Sequence, residues 1–486
     1  MVAPGEQLAS ATSFRAPRIA LEFSRRPPRT DAVVGGRTHH VLAPLAKGAA
    51  IDRAVLARWL ALEPPRELDE TPYVDIKCAL TERPGELPVA EPLPRARADA
   101  AAALRRVVQR AVARAIGGAR RVAVLTGGGV DSGGLLGFAM QLMRERGGSV
   151  FAVALDYRAD GDDRPHLEAL ARHLGCEVLR VAPEDAARRA DLVHGVDAAP
   201  FMSPTGPMEV EMFARARAHG AELVLTGDGG DALFDGVPHA LADLTRSGHP
   251  LQALRAARAL RGFELPRNRL FQWALRPAIS PFIPRSIRMW KARRAKPCFP
   301  AWAGPVLRAA LESSRARRLT DLEERLASGA AEESWPTEHA RVWIAWYRHQ
   351  QEHASGIERS DPYLDRELIT WVDALPPVWL LEGGVRRGLF REAIRGLVPE
   401  SLRTRPDKAA FEPAMFRFVE SIGGFGALRR HASVPDLADL GLVEPRAFLD
   451  AFDELAAKPI GSWQWSTVWP ALATEAFLAS RGAGRE

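Results

Sequence analysis

Twice in this chain a short apolar run ends in a glycine turn that carries an aspartate: Leu125-Thr-Gly-Gly-Gly-Val-Asp-Ser132 and Leu225-Thr-Gly-Asp-Gly-Gly-Asp231. Arg121 to Leu125 (RVAVL) and Ala221 to Leu225 (AELVL) read as buried strands of a parallel sheet, and the apolar stretch after Ser132 (GGLLGFAMQLM) reads as a helix. Glycines between strand and helix let the backbone turn tightly and bring amide N–H groups close to an anion, an attraction that the helix dipole strengthens. An aspartate in such a turn repels phosphate unless a hard cation lies between them. Magnesium, typically held by one or two carboxylates plus phosphate oxygens, meets that requirement. Asp131 and Asp231 are therefore the expected metal ligands, at the C-terminal edge of the sheet where open α/β folds bind their ligands. One such turn alone is more often structural, but two in one α/β region reinforce each other. No Gly-Lys-Ser/Thr follows, and the first loop lacks G-x-G-x-x-G, which excludes a Walker loop and a dinucleotide fingerprint.

The segments between the loops alternate in period. Ala96 to Ile116 reads as an amphipathic helix. After the strand at 121 come a helix to about 146, a strand at Val150 to Asp156, and a helix around His166 to Leu174. A strand at Glu177 to Val181 and a helix near Met208 to His219 lead to the strand at 221. Strands alternating with helices predict an α/β fold with a doubly wound parallel sheet. Residues 1 to about 50 hold Pro, Gly and scattered charge, consistent with a small sheet or loose chain, and from about 240 onward the pattern is helical. With 486 residues and 47% apolar content, the chain can build one large or two ordinary cores.

Cys78, Cys176 and Cys298 lie far apart without metal spacing, which argues against a disulfide framework or zinc site. No apolar run is long enough to span a membrane, and the first residues lack a secretion signal's apolar core, so a cytoplasmic location is expected. Net charge is +6, concentrated between Leu251 and Lys296, where ten arginines and two lysines meet hardly an acid. The plain reading is a solvated helical face; the functional one is a surface that steers in an acidic or extended substrate. Nucleic acid is not expected, since no recognition motif or aromatic stacking module accompanies the charge.

Five ordered motifs carry a family resemblance over residues 96 to 425. The first loop resembles the pyrophosphate-binding SGGxDS motif of the asparagine synthetase-like branch of the ATP pyrophosphatases, and Gly227-Asp-Gly-Gly-Asp-Ala-Leu-Phe234 is similar to its GEGxDELF motif. Gly356-Ile-Glu-Arg-Ser-Asp-Pro-Tyr-Leu-Asp365 resembles G-(L/V/I)-E-x-R-x-P-F-L-D, Arg387-Gly-Leu-Phe-Arg-Glu-Ala393 resembles K-x-x-L-R-x-A, and Arg405-Pro-Asp-Lys-Ala-Ala-Phe411 resembles the lysine loop. The resemblance implies a fold like that of adenine nucleotide alpha hydrolases and an ATP- and magnesium-dependent ligase. In such a ligase a carboxylate is activated as an acyl-adenylate, an amine attacks, and AMP and pyrophosphate leave.

In that frame Leu125, Thr126, Gly127, Gly128, Gly129, Ser132, Gly227, Asp228 and Gly229 would join Asp131 in holding the nucleotide, and Asp131 and Asp231 the metal. Lys408 matches the lysine that steadies the anionic intermediate, and Glu358 the glutamate placed to take a proton from the amine. Tyr347, on the helix before Glu358, is a candidate assistant to that glutamate, with core packing as its plainer role. Some positions depart from the family pattern: Gly127 replaces the opening serine with Thr126 beside it, Ala232 replaces an acid, and Asp228 stands for glutamate. The family arginine after the glutamate falls on Ser360, with Arg359 beside it as a candidate substitute, and His349 stands where an Asp is common.

Residues 1–95 resemble the tail of a glutaminase domain without its cysteine nucleophile, since position 2 is Val2. The ligase domain is expected over 96–486, with a nucleotide-binding core at about 96–240 and a helical substrate-facing part at about 241–486. The amine then arrives on a peptide or small-molecule substrate. Intramolecular closure of a lasso-type or β-lactam-like ring in natural-product biosynthesis is the expectation, with a precursor peptide or leader-binding protein as candidate partners. An intermolecular synthetase using a small amine or ammonia, and a non-catalytic nucleotide-binding scaffold, are the alternatives.

Overall fold

A computed structural model describes residues 19–25, 41–63, 65–82, 91–157, 163–235, 237–259, 283–295, 299–328, 338–381, 385–405, 412–458 and 465–482. Lys408, Cys298, Trp463 and most of the basic segment 251–296 lie outside these residues.

The centre is a five-stranded, all-parallel sheet in the order β5-β4-β3-β6-β7. Its strands are β3 (Arg121–Leu125), β4 (Ser149–Leu155), β5 (Val178–Val181), β6 (Leu223–Leu225) and β7 (Glu358–Ser360). Side chains alternate between faces at period two. Val122, Val124, Ala152, Leu223 and Leu225 meet the helices Arg97–Ile116 and Val130–Arg146 on one face, while Ala123, Phe151, Val153 and Val224 meet the helix Gly206–Ala218 on the other. Helices on both faces are the doubly wound arrangement expected from the sequence. β7 is an addition: its three residues carry no apolar alternation, and their strand character comes from pairing with β6, Leu223 opposite Glu358.

A stripe of glycines shapes the helix Val130–Arg146. A Cβ on Gly133 would lie 2.5 Å from Leu402, on Gly134 2.8 Å from Phe390, and on Gly137 3.0 Å from the Leu397 carbonyl oxygen. The segment 388–402 therefore rests directly on this helix, which carries its arginines up to the glycine loops.

The described part of the first 95 residues forms a two-stranded antiparallel sheet, β1 (Ile19–Ser24) with β2 (Lys77–Glu82), and a helix Arg53–Leu60 capped by Asp52. Its apolar side chains Phe23, Trp59 and Ile76 share one core with Trp346, Phe418 and Trp469 from the C-terminal helices. Asp197 fastens this joint. Its carboxylate accepts from the Leu42 and Ala43 amides at 2.7 and 2.8 Å and faces His349 Nε2 at 2.7 Å. Burial pushes the Asp197 carboxyl up, but His349 and the two amides outweigh it and hold it below the usual range. Asp197→Ala would leave two inward-facing amides without an acceptor. It is expected to lower unfolding free energy by about 3 kcal/mol, read by urea denaturation; a loss below about 1 kcal/mol would contradict the role.

Candidate active site

β3 and β6 are neighbours, and the chain runs outward from them in opposite directions, so the two glycine loops flank the point where strand order reverses. Both are built alike. A threonine follows the last leucine of each strand, and its hydroxyl accepts from the backbone N–H two residues on: Gly128 to Thr126 Oγ1 at 3.5 Å, Asp228 to Thr226 Oγ1 at 3.3 Å. Thr126 in turn donates to Ser132 Oγ at 3.0 Å. Gly128 sits at φ +93°, and a Cβ there would lie 2.8 Å from the Asp163 carbonyl oxygen. The loops also touch each other: a Cβ on Gly230 would meet Asp131 Cβ at 3.0 Å. Tyr363, fully buried, donates to the Asp131 carbonyl oxygen at 2.8 Å and fixes that loop from below.

A cavity of about 540 Å³ opens over both loops. Three arginines, Arg386, Arg387 and Arg391, share part of its wall, two of them paired with carboxylates: Arg386 with Asp235 and Arg387 with the loop aspartates. Burial together with the neighbouring charge of Arg387 pulls the Arg391 guanidinium down to about 10. Cations crowded into mutual repulsion favour an anion between them. Arg387 bridges the loops, with Nη1 2.9 Å from Asp131 Oδ2 and Nη2 paired with Asp231.

Another part of the lining is built around Glu209 and Arg359, next to Asp228 of the second loop. Glu209 accepts from Thr205 Oγ1 at 2.7 Å, Tyr347 Oη at 2.7 Å and Gln351 Nε2 at 2.5 Å. Burial and the Glu209 charge hold the Tyr347 phenol well above its usual range, so it stays protonated and donates. Arg359 is 1% exposed and is gripped by Asp361 Oδ1 at 2.8 Å, by Asp228 and by Gln351. It lies 5.7 Å from the Tyr347 ring centre.

Magnesium fits this donor set. Asp131 and Asp231 converge on one positive charge already, and among the described residues no group of three or more His, Cys, Asp or Glu forms a closed metal cage. An ion that takes its remaining ligands from phosphate and water needs no such cage.

Among the predicted site residues, Leu125, Thr126, Gly127, Gly129, Asp131, Ser132, Gly227, Asp228, Asp231 and Tyr347 line the cavity. Gly128 and Gly229 shape the loops from behind, the latter at φ +89°. Glu358 is not among the described residues that line the cavity. Successive strand residues face opposite ways, and on β7 it is Arg359 that reaches the cavity. Lys408 lies outside the described residues, though Arg405, three positions earlier, donates to the Gly128 carbonyl oxygen at 3.1 Å and pairs with Asp163. His349 takes part in the Asp197 joint rather than lining the cavity.

Sequence reading did not single out Glu209, Thr205 or the pairing of Arg387 with both aspartates. Glu209 sits in Met208-Glu-Val-Glu-Met212, where its charge looks like any helix-face carboxylate. The signal for Arg387 was its place in the quoted motif.

Among the described residues no helix is long and apolar enough to cross a membrane. No curated protein matches the chain. Among solved structures, the U34-tRNA thiolase NcsA from Methanococcus maripaludis, with its [4Fe-4S] cluster, is similar at 12% identity, covering 52% of this chain and 80% of that one, with a TM-score of 0.22. A score that low carries no weight for either fold or function. The family model for asparagine synthase matches residues 103–479, taking in the whole parallel sheet, both glycine loops and most of the helical half. On that match, the chain belongs to the asparagine synthase family, a family of ATP-dependent ligases.

Proposed function

We propose that this protein is an AMP-forming amide ligase that activates a substrate carboxylate with ATP and joins it to an amine carried on the same molecule, closing a lasso-type or β-lactam-like ring. The observation that supports it is one cavity whose lining joins both glycine loops and three arginines to the Glu209–Tyr347 pair. The arginine part suits the triphosphate. Asp131 and Asp231 would hold magnesium, which when bound would neutralise charge developing on departing pyrophosphate.

The part around Glu209 suits the amine. An amine taken up from water enters as an ammonium and cannot attack until it loses a proton. Glu209 lines the cavity there beside Asp228, which is taken up by Arg359, and Glu209 accepts that proton directly or through the Tyr347 hydroxyl. The amine nitrogen then bonds to the acyl carbon, AMP leaves with the electron pair of the acyl–phosphate bond, and the second proton of the nitrogen passes to the departing phosphate or to water. Arg359, locked between Asp361 and Asp228, holds this wall in place.

AMP and pyrophosphate release in the presence of candidate peptides and amino acids, with mass spectrometry on the substrate, tests the reading. Loss of one water from a single molecule is expected. Condensation of two molecules would replace ring closure with the intermolecular reaction, and ATP binding without AMP would replace catalysis with a scaffold role. Glu209→Gln is expected to slow amide formation by about 10²- to 10⁴-fold. Carboxylate-dependent exchange of labelled pyrophosphate into ATP, which precedes amine attack, should persist. If exchange fell in parallel with amide formation, Glu209 would not be the proton acceptor.

A further inference from the structure

The pairing of Arg387 with both metal aspartates is a constructed feature. Arg387 stands at the N-terminal cap of the helix Gly388–Ala393 with φ +59°, a left-handed conformation that long side chains rarely adopt. Phe390 of that helix is pressed against Gly134, and the Arg387 side chain is only 14% exposed. The guanidinium reaches Asp131 with one terminal nitrogen and Asp231 with the other. Its Nε is buried and without a hydrogen-bond partner among the described residues. The residue type matters here, because the motif it resembles has lysine at this position. An ammonium is a compact point charge, whereas the planar fork of a guanidinium presents separate donors to two carboxylates at once.

We propose that Arg387 is a place-holder for the divalent cation. In the nucleotide-free protein it neutralises Asp131 and Asp231 and denies them to free metal; metal enters together with the nucleotide, whose phosphates give the displaced guanidinium its new partner. The inference rests on Asp131 and Asp231 being the metal ligands. Arg387 and the metal compete for the same two carboxylates, so relief of that competition by nucleotide makes metal and nucleotide bind cooperatively. By linkage each then raises the affinity of the other by the same factor.

The test is Mn²⁺ binding by electron paramagnetic resonance, with and without an ATP analogue whose α,β-bridge is a methylene group, on wild type and Arg387→Gln. Without the analogue, Arg387→Gln is expected to bind Mn²⁺ at least about tenfold more tightly than wild type, and the cooperativity with the analogue is expected to shrink by the same factor. Equal Mn²⁺ affinities in the two proteins without analogue would overturn the place-holder role. So would a gain that survives Asp131→Asn and Asp231→Asn added to Arg387→Gln, since the ion would then sit elsewhere. If the glutamine variant fails to fold, Arg387→Lys keeps the charge but loses the bridge, and a gain in the same direction is required of it. Absence of Mn²⁺ binding in wild type even with the analogue would instead remove the metal assignment itself, a different failure from a missing gain.

Discussion

Asp131→Asn is expected to reduce AMP formation by roughly a thousandfold. The change keeps size and shape and removes one negative charge. Asp131 projects from the first turn of the helix Val130–Arg146, its side chain only 15% exposed, with Tyr363 holding its carbonyl from beneath. Asp231 starts the shorter helix Gly230–Asp235 and its side chain is 53% exposed. Water screens the more exposed charge better, so Asp231→Asn should cost less than Asp131→Asn, though both should be severe. Steady-state AMP release measured at saturating magnesium and ATP decides the matter. Activity of Asp131→Asn within about tenfold of wild type would show that this carboxylate does not hold the ion.

The largest loss of stability is expected from Arg359→Met. Arg359 and Asp361 are each 1% exposed at the side chain, and the pair is bound at 2.8 Å. Removing the cation leaves Asp361 with the neutral Thr226 hydroxyl at 2.5 Å and the more distant charge of Arg348. Breaking one partner out of a buried pair costs about 3–5 kcal/mol. Arg359→Lys should rescue little, because one ammonium cannot serve Asp361, Asp228 and Gln351 together.

The pH dependence separates this from simple loss of packing. In the native protein burial pushes the Asp361 carboxyl up, but Arg359 and Arg348 outweigh it, so it sits below its usual range. A carboxyl depressed by folding adds stability above its unfolded value, about 3.9, and loses that contribution as pH falls through the folded value. Without Arg359, burial loses its main opponent and the folded value rises. Protonation then relieves the strain as pH falls, and the deficit of Arg359→Met should be smaller at pH 5 than at pH 8. Denaturant midpoints at the two pH values measure it, and an equal deficit at both would show that charge is not the cause.

Much of the central sheet was legible because burial on both faces demands residues that only strands use well. RVAVL, SVFAVAL and the run ending at Leu225 have no other comfortable conformation in a soluble chain, and the helices between them carry a clear period. The glycine loops were legible for a related reason: φ +93° at Gly128 and the contact of Gly230 with Asp131 leave no room for other side chains. β7 was not, since Glu358, Arg359 and Ser360 form a strand only because β6 offers them hydrogen bonds. The same blindness covers the site residues on it. Motif spacing pointed to Glu358, with Arg359 beside it as substitute for the family arginine, and of the two Arg359 lines the cavity. Glu209 was invisible because its meaning comes from Tyr347 and Gln351, well over a hundred positions away in sequence.

The glycine stripe on the helix Val130–Arg146 divides the cavity into a fixed wall and an adaptable one. Where backbone meets the side chains of Phe390, Leu397 and Leu402, there is no rotamer to change and no atom to trim, so the arginine wall cannot drift without opening the core behind it. The wall around Glu209 and Tyr347 is instead made of side chains, and those beside the two, such as Thr205 and Met212, can be exchanged without moving the backbone. Relatives that share this scaffold can therefore diverge in what they join while keeping the handling of nucleotide constant, and attempts to redirect substrate choice belong on the neighbours of Glu209 and Tyr347, Thr205 and Met212 first.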